Sequence, residues 1–247
     1  RIRSAGGELT LNNGIAEIHG NGQRITSVTD DKGQTHQAET FISCIGARET
    51  ATLCNIPPPE WLAARPGQIG FLETIFTLAQ PPASFGIKAC TLFRNEKAVF
   101  RYAPPETPVD FDSQVYCMPG NYQGCEEIPA ARHLRMTHLA NPTYWLNLTP
   151  EANLKAKETV LARQKEILAA SWPELAESIL SAEVMTPKTI FRYTGRLNGS
   201  IYGSPDKFSN GTCSLKNLFL CGTDQGLIGI VGSLLSGIAT VNRHFLT

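Results

Sequence analysis

The sequence predicts a mixed chain of the α/β (α+β) class in more than one domain, on three observations. Residues 8–46 break into short alternating runs separated by turn signals and end in a nearly unbroken apolar run, 40–46. Residues 68–140 hold a second series of alternating runs, followed by two helix starts at Thr149 and Ser171. The chain closes on an apolar run, 218–221, a glycine-rich loop and an apolar helix. Runs of strands followed by helices and a strand–loop–helix close are the pattern of sheets packed against helices.

In chain order, a short strand is expected at 9–12. The run 15–19 ends at the turn signal Gly20-Asn-Gly22, and 24–29 alternates as far as Asp30-Asp-Lys-Gly33, after which 34–38 returns. Together these read as an antiparallel meander. The 40–46 run is apolar on both alternations, as in a strand buried on both faces of a parallel sheet. Pro57, Pro58, Pro59 and Pro66 mark a crossing between domains. Strands follow at 70–78, 87–94, 97–103, 113–118 and 132–139. In the last of these Leu134 and Met136 face one way, Arg135 and Thr137 the other, which describes a half-exposed antiparallel sheet.

Thr149 is a hydroxyl cap ahead of Pro150 and Glu151, opening a helix to about residue 170. Leu154, Val160, Leu161, Ile167 and Leu168 form its apolar stripe. Ser171 and Glu174 have capping-box spacing and open a second helix to about 181. The last helix, 228 to about 245, carries small residues at Gly232, Ser233, Ser236 and Gly237, which permit close approach of another backbone. Its apolar run is too short and too interrupted to cross a membrane. It is therefore expected to be tightly buried.

At the chain end, Gly222 breaks the strand, Asp224 follows, and the helix begins near Gly229. Glycines let backbone approach a ligand closely, and a helix start offers N–H groups to an electron-rich partner, so this is the grammar of a cofactor seat. A buried strand and helix with no ligand have the same spacing. No Ser/His/Asp order, nucleophile motif or paired carboxylates stand out, and catalytic residues stay unassigned. The five histidines, His19, His36, His133, His138 and His244, show no metal-ligand spacing, so no metal site is expected. Seven cysteines (44, 54, 90, 117, 125, 213 and 221) form no C-x-x-C and are odd in number, which favours free thiols in a reducing compartment. The 22 basic residues balance 22 acidic ones with no basic run, against a nucleic-acid partner.

The 217–240 segment resembles the C-terminal FAD motif of the family that includes phytoene desaturases, carotenoid isomerases and retinol saturases, with flavin amine oxidases as more distant relatives. The likeness extends to 186–203, which is similar to the family's stretch from a Thr-Pro start to a GxxYG-like turn. At the front it covers Gly6-Gly-Glu-Leu9, Ile15-Ala-Glu-Ile18 and 40–46. The resemblance implies an FAD/NAD(P)-binding Rossmann-like domain formed by 1–53 and 204–247, and a substrate domain of antiparallel sheet with helices at 54–203. It implies FAD as cofactor. Gly222, Thr223 and Asp224 would form the family's turn, Asp224 accepting from the ribityl hydroxyls. Gly229 would open the helix, and Ile230 and Val231 would present N–H groups to the flavin N1–C2=O edge. The Ile15 backbone would lie near adenine, Ser43 and Cys44 near the ribose or pyrophosphate, and Tyr193 and Tyr202 along a substrate cavity.

The family opens with a βαβ unit bearing Gly-x-Gly-x-x-Gly, and no such motif opens this chain, which starts at Arg1. The expectation is the C-terminal part of a larger flavoprotein, inactive alone, whose N-terminal FAD-binding segment would pack on the last helix. The parent is expected to be an FAD-dependent oxidoreductase acting on a lipophilic polyene or isoprenoid, by hydride exchange at flavin N5 or redox-neutral isomerisation. An amine-oxidase-like flavoenzyme, a non-catalytic prenyl-binding protein like the Rab GDP-dissociation inhibitors, and a remnant without function are the alternatives. The expected location is cytoplasmic, with peripheral membrane contact through a lipophilic substrate.

Overall fold

The computed structural model describes residues 1–246. In chain order the strands and helices are β1 (Ile15–Gly20), β2 (Ile25–Asp30), β3 (Thr35–His36), β4 (Phe41–Ser43), α1 (Ala47–Leu53), α2 (Pro59–Leu62), β5 (Gly70–Leu78), β6 (Thr91–Asn95), β7 (Ser113–Cys117), β8 (His133–Ala140), α3 (Pro142–Leu146), α4 (Pro150–Ser171), α5 (Pro173–Glu177), β9 (Ile179–Met185), α6 (Pro187–Thr194), β10 (Leu218–Leu220) and α7 (Gly229–His244). They divide into two units, 1–66 with 202–247, and 67–201. The proline-rich 54–66 stretch, read above as part of the middle domain, groups with the first unit.

In the first unit β1, β2 and β3 form the expected antiparallel meander. Asp30 anchors its second turn: the carboxylate accepts from the amides of Lys32 and Gln34 and from the Asn13 side chain. β4 and β10 pair in parallel, Phe41 opposite Leu218 and Ser43 opposite Leu220, so the beginning and end of the chain meet in one sheet. Asn217 fastens this junction. Its carbonyl oxygen accepts from Ile25 N (2.8 Å) and its amide donates to the Ile25 and Glu39 carbonyls. Ile18, Ile25, Ala47, Ala51, Trp61, Leu215, Leu218 and Leu220 make the core beneath. No strand forms at 9–12. That run has no partner strand to supply its ladder bonds.

The second unit is a five-stranded antiparallel sheet in the order β6-β7-β8-β5-β9. β5 alternates between buried and half-buried along all nine residues, as a strand covered on one face must. α4 and α5 cover that face, packing Leu168 and Leu175 against Phe76, Leu78, Tyr116, Leu134 and Met136. The 132–139 reading holds, with Leu134 and Met136 inward. The 97–103 run forms no strand and 87–94 shortens to β6.

Helical expectations fail in instructive places. Leu154, placed on the stripe of α4, is 61% exposed. The buried line is instead Val160, Gln164 and Leu168, spaced by four. Gln164 sits on the inner face because its carbonyl oxygen accepts from the buried Thr74 hydroxyl at 2.6 Å. The helix expected from 171 to 181 stops at Glu177, and Ser171 ends α4 rather than capping α5, whose N-cap is Trp172 without a side-chain bond. Residues 179–185 become β9 because β5 offers a free edge, and its ladder bonds outweigh local helix preference. α6 also went unread. Its start carries the reciprocal box Thr186/Thr189 with Pro187 at the first position.

Candidate functional site

Because β4 and β10 run in parallel, both chains leave the sheet at the same end. Ser43 and Cys44 emerge beside Cys221, Gly222 and Thr223, and the loop 222–228 leads to α7. Ligands in open parallel sheets bind in the crevice beyond the carboxyl ends of the strands. This end is therefore the candidate site.

The loop is a tight knot of hydrogen bonds. Gly222, at φ 93°, donates its amide to Ser236 Oγ at 2.6 Å, and that hydroxyl donates to the Ser233 carbonyl at 2.7 Å. Gln225 Nε2 donates to the Leu220 carbonyl (2.9 Å) and to Thr240 Oγ1 (2.7 Å). Lys207 Nζ donates to the carbonyls of Thr223 and Tyr202. Sequence reading named neither Gln225 nor Thr240. A signal was available: Ser236 and Thr240, four apart, lie with Ser233 on one face of a helix that is mostly apolar up to Val241. Ser236 and Thr240 are also its two buried residues.

Asp224 holds the centre. It is fully buried, and its two carboxylate oxygens take the amide protons of Ala47 and Ser204, each at 2.9 Å. Ala47 is the first residue of α1, so the carboxylate sits at a helix N-terminus, where negative charge is stabilised. The sequence reading gave Asp224 to ribityl hydroxyls. The structure gives it to two backbone amides and leaves it no exposed surface, so the carboxylate ties β10 to α1 and to the 204 turn. Ser43 is likewise turned inward. Thr50 Oγ1 donates to the Gly46 carbonyl (2.5 Å), so the Ser43 hydroxyl, 2.6 Å from Thr50 Oγ1, is the donor between them.

The start of α7 is different. Ile228 provides no side-chain cap, and Gly229 sits at φ 78° with open space where a Cβ would be. Ile230 is 84% exposed and Val231 69%, next to exposed Leu227 and Ile228. The first N–H groups of a helix lack intrahelical acceptors and form its positive end. An apolar rim around an uncapped helix start, with glycine allowing close approach, fits the edge of a planar, electron-rich ring. The exposed face continues through Leu234, Leu235 and Ile238. Within this chain α7 buries its polar stripe against the loop and shows its apolar one, the face that the sequence reading assigned to an N-terminal FAD-binding segment.

The remaining candidates divide between the two units. Ile15 opens β1 and is exposed. Tyr193, in the second unit, is 77% exposed on α6, with the Arg192 guanidinium 5.6 Å from its ring centroid. Tyr202 is half-buried in the first unit. Cys54 and Cys213 are pushed up by burial to about 11 and about 12, which makes these thiols poor nucleophiles. Among the described residues no group of His, Cys, Asp and Glu could hold a metal ion, and no helix is long and apolar enough to cross a membrane.

No protein family matches the chain, and no curated protein does. Solved structures do match. An oxidoreductase from Methanosarcina mazei is 16% identical at TM-score 0.58, over 98% of this chain and 51% of its own. The PF1083 protein from Pyrococcus furiosus is 15% identical at TM-score 0.51, over 98% and 49%. Cyclohexylamine oxidase from Brevibacterium oxydans is 8% identical at TM-score 0.49, over 93% and 46%. The chain spans about half the length of the Methanosarcina and Pyrococcus structures. Over nearly its whole length it has the fold of the Methanosarcina oxidoreductase, a mixed α/β fold as the sequence predicts.

Proposed function

We propose that this chain supplies the C-terminal half of the flavin seat, and the substrate domain, of an FAD-dependent oxidoreductase acting on a lipophilic polyene or isoprenoid. The observation that carries the reading is the uncapped, glycine-preceded start of α7, ringed by exposed apolar side chains, at the carboxyl end of the parallel β4–β10 pair. FAD would supply the hydride and electron chemistry. The Ile230 and Val231 amides would donate to the electron-rich ring edge, favouring its reduced form by roughly 0.3–2 kcal/mol. Gly229 would let the ring approach, and Leu227 and Ile228 would keep water from it. Gly222 and Thr223 would lie under the ribityl chain, with Asp224 fixing their position from behind. Ile15, Ser43 and Cys44 would line the nucleotide end through backbone, and Tyr193 and Tyr202 would belong to the substrate path.

On this reading an N-terminal FAD-binding segment completes the seat by covering the apolar face of α7, and a lipophilic substrate brings peripheral membrane contact. Extending the coding sequence upstream and purifying the longer protein tests both. A bound flavin spectrum, with turnover of a polyene substrate, is the expected result. A longer protein that purifies without flavin and cannot be loaded refutes the reading in favour of a prenyl-binding protein. Amine-dependent peroxide production would move it to the amine-oxidase-like branch.

A further inference from the structure

We infer that Cys44 and Cys221 form a redox-active thiol pair that closes to an intramolecular disulfide when a peroxide reaches Cys44. The two residues are 177 apart in sequence yet sit side by side. They follow the paired residues Ser43 and Leu220 on the parallel strands β4 and β10, and Cys221 N donates to the Ser43 carbonyl at 2.8 Å. The next register step sets Cys44 opposite Cys221 on the same face. Neighbouring strands lie ~4.8 Å apart, within the Cα separation a disulfide accepts. A Cβ built on Gly222 would stand 3.9 Å from Cys44 Cβ, so the two chains are still close one residue further on.

Exposure divides the labour. Cys44 is exposed and Cys221 half-buried. Peroxide would therefore oxidise Cys44: its thiolate attacks one peroxide oxygen, the O–O bond breaks, and one water leaves after protonation. Cys44 is then a sulfenic acid. Cys221 sulfur attacks the Cys44 sulfur, the S–O bond breaks, and the oxygen departs as a second water. Two thiols and one hydrogen peroxide give one disulfide and two waters. The Cys221 proton leaves with the departing oxygen and completes that second water.

The test needs no flavin and stands apart from the functional reading. The full chain is treated with hydrogen peroxide, denatured, alkylated and digested. The expected result is a fall from seven alkylated thiols to five, a peptide pair joined through Cys44 and Cys221 and lighter by two hydrogens, and recovery of all seven with dithiothreitol. In Cys221→Ala, dimedone should label Cys44 and no disulfide should form. Seven surviving thiols, a bond between other cysteines or other chains, or Cys44 driven to sulfinic acid with Cys221 still free would each overturn the inference.

Discussion

Replacing Asp224 by asparagine separates a carboxylate that ties the loop together from one that waits for a ligand. Both carboxylate oxygens accept buried backbone amides, from Ala47 and Ser204, at 2.9 Å each. Asparagine retains one acceptor oxygen and turns an NH2 toward the other amide, donor against donor. One charge-assisted bond is lost and one buried N–H is left unmet, each costing about 1.5–3 kcal/mol. Because the loop can relax, we expect about 3 kcal/mol. Alanine orphans both amides and should cost about 5 kcal/mol. Chains of two units need not unfold in one step, so the readout should be local. Amide hydrogen exchange at Ala47 and Ser204 should quicken on the order of a hundredfold in Asp224→Asn, for 3 kcal/mol at 1.36 kcal/mol per decade. Exchange within threefold of the parent, with an unchanged urea midpoint, would show that these bonds do not hold the loop and would return Asp224 to the ligand.

Three further outcomes follow. Burial holds the His138 imidazole down to about 4, with Nδ1 donating to the carbonyls of Asp110 and Ser113. The unfolded chain takes up a proton from about pH 6.5 downward while the folded one does not, so stability is lost as pH falls from about 6.5 to about 4. The loss approaches about 3 kcal/mol, and urea midpoints of His138→Gln should show a flatter pH dependence than the parent over that window. Gly211→Ala would place a Cβ 2.5 Å from the Leu220 carbonyl and Gln225 Nε2 at φ 68°, and should lower the stability of the first unit by about 3 kcal/mol or more, read by urea unfolding. Ile230→Asp changes an exposed side chain, so the melting temperature of this chain should move little, by an amount equivalent to about 0.5 kcal/mol or less. In the longer protein the same change should abolish flavin retention, and normal flavin content would remove α7 from the seat.

Elements whose local pattern and tertiary setting agree were legible. β1, β2, β5, β7 and β8 lie within about two residues of their expected bounds because alternation reports a sheet with one covered face. α4 begins at Pro150 as its cap requires. Where the pattern was right and the partner missing, the element vanished, as at 9–12 and 97–103. Where a partner edge existed, the opposite occurred: 179–185 followed a good helix start and still joined β5. Leu154 left its expected place on the inner stripe and Gln164 is found there, because hydrophobicity ranks residues, whereas a single buried hydroxyl, Thr74, decides which polar side chain is welcome inside.

At the candidate site the sequence by itself determined the parts: a strand, a glycine break, an acid and a helix start, in that order and in the last thirty or so residues. Tertiary structure decided what each part does. Only the parallel pairing of β4 with β10 brings Ser43 and Cys44 to Cys221 and Gly222, because strand pairing joins segments that spacing along the chain cannot relate. The same pairing brings α1 close enough for its first amide to claim Asp224, turning a motif acid into an internal fastener. The helix start has no side-chain cap because its N-cap position is held by Ile228, which carries no acceptor. A sequence states which groups can bond, and the fold settles which of them are already taken.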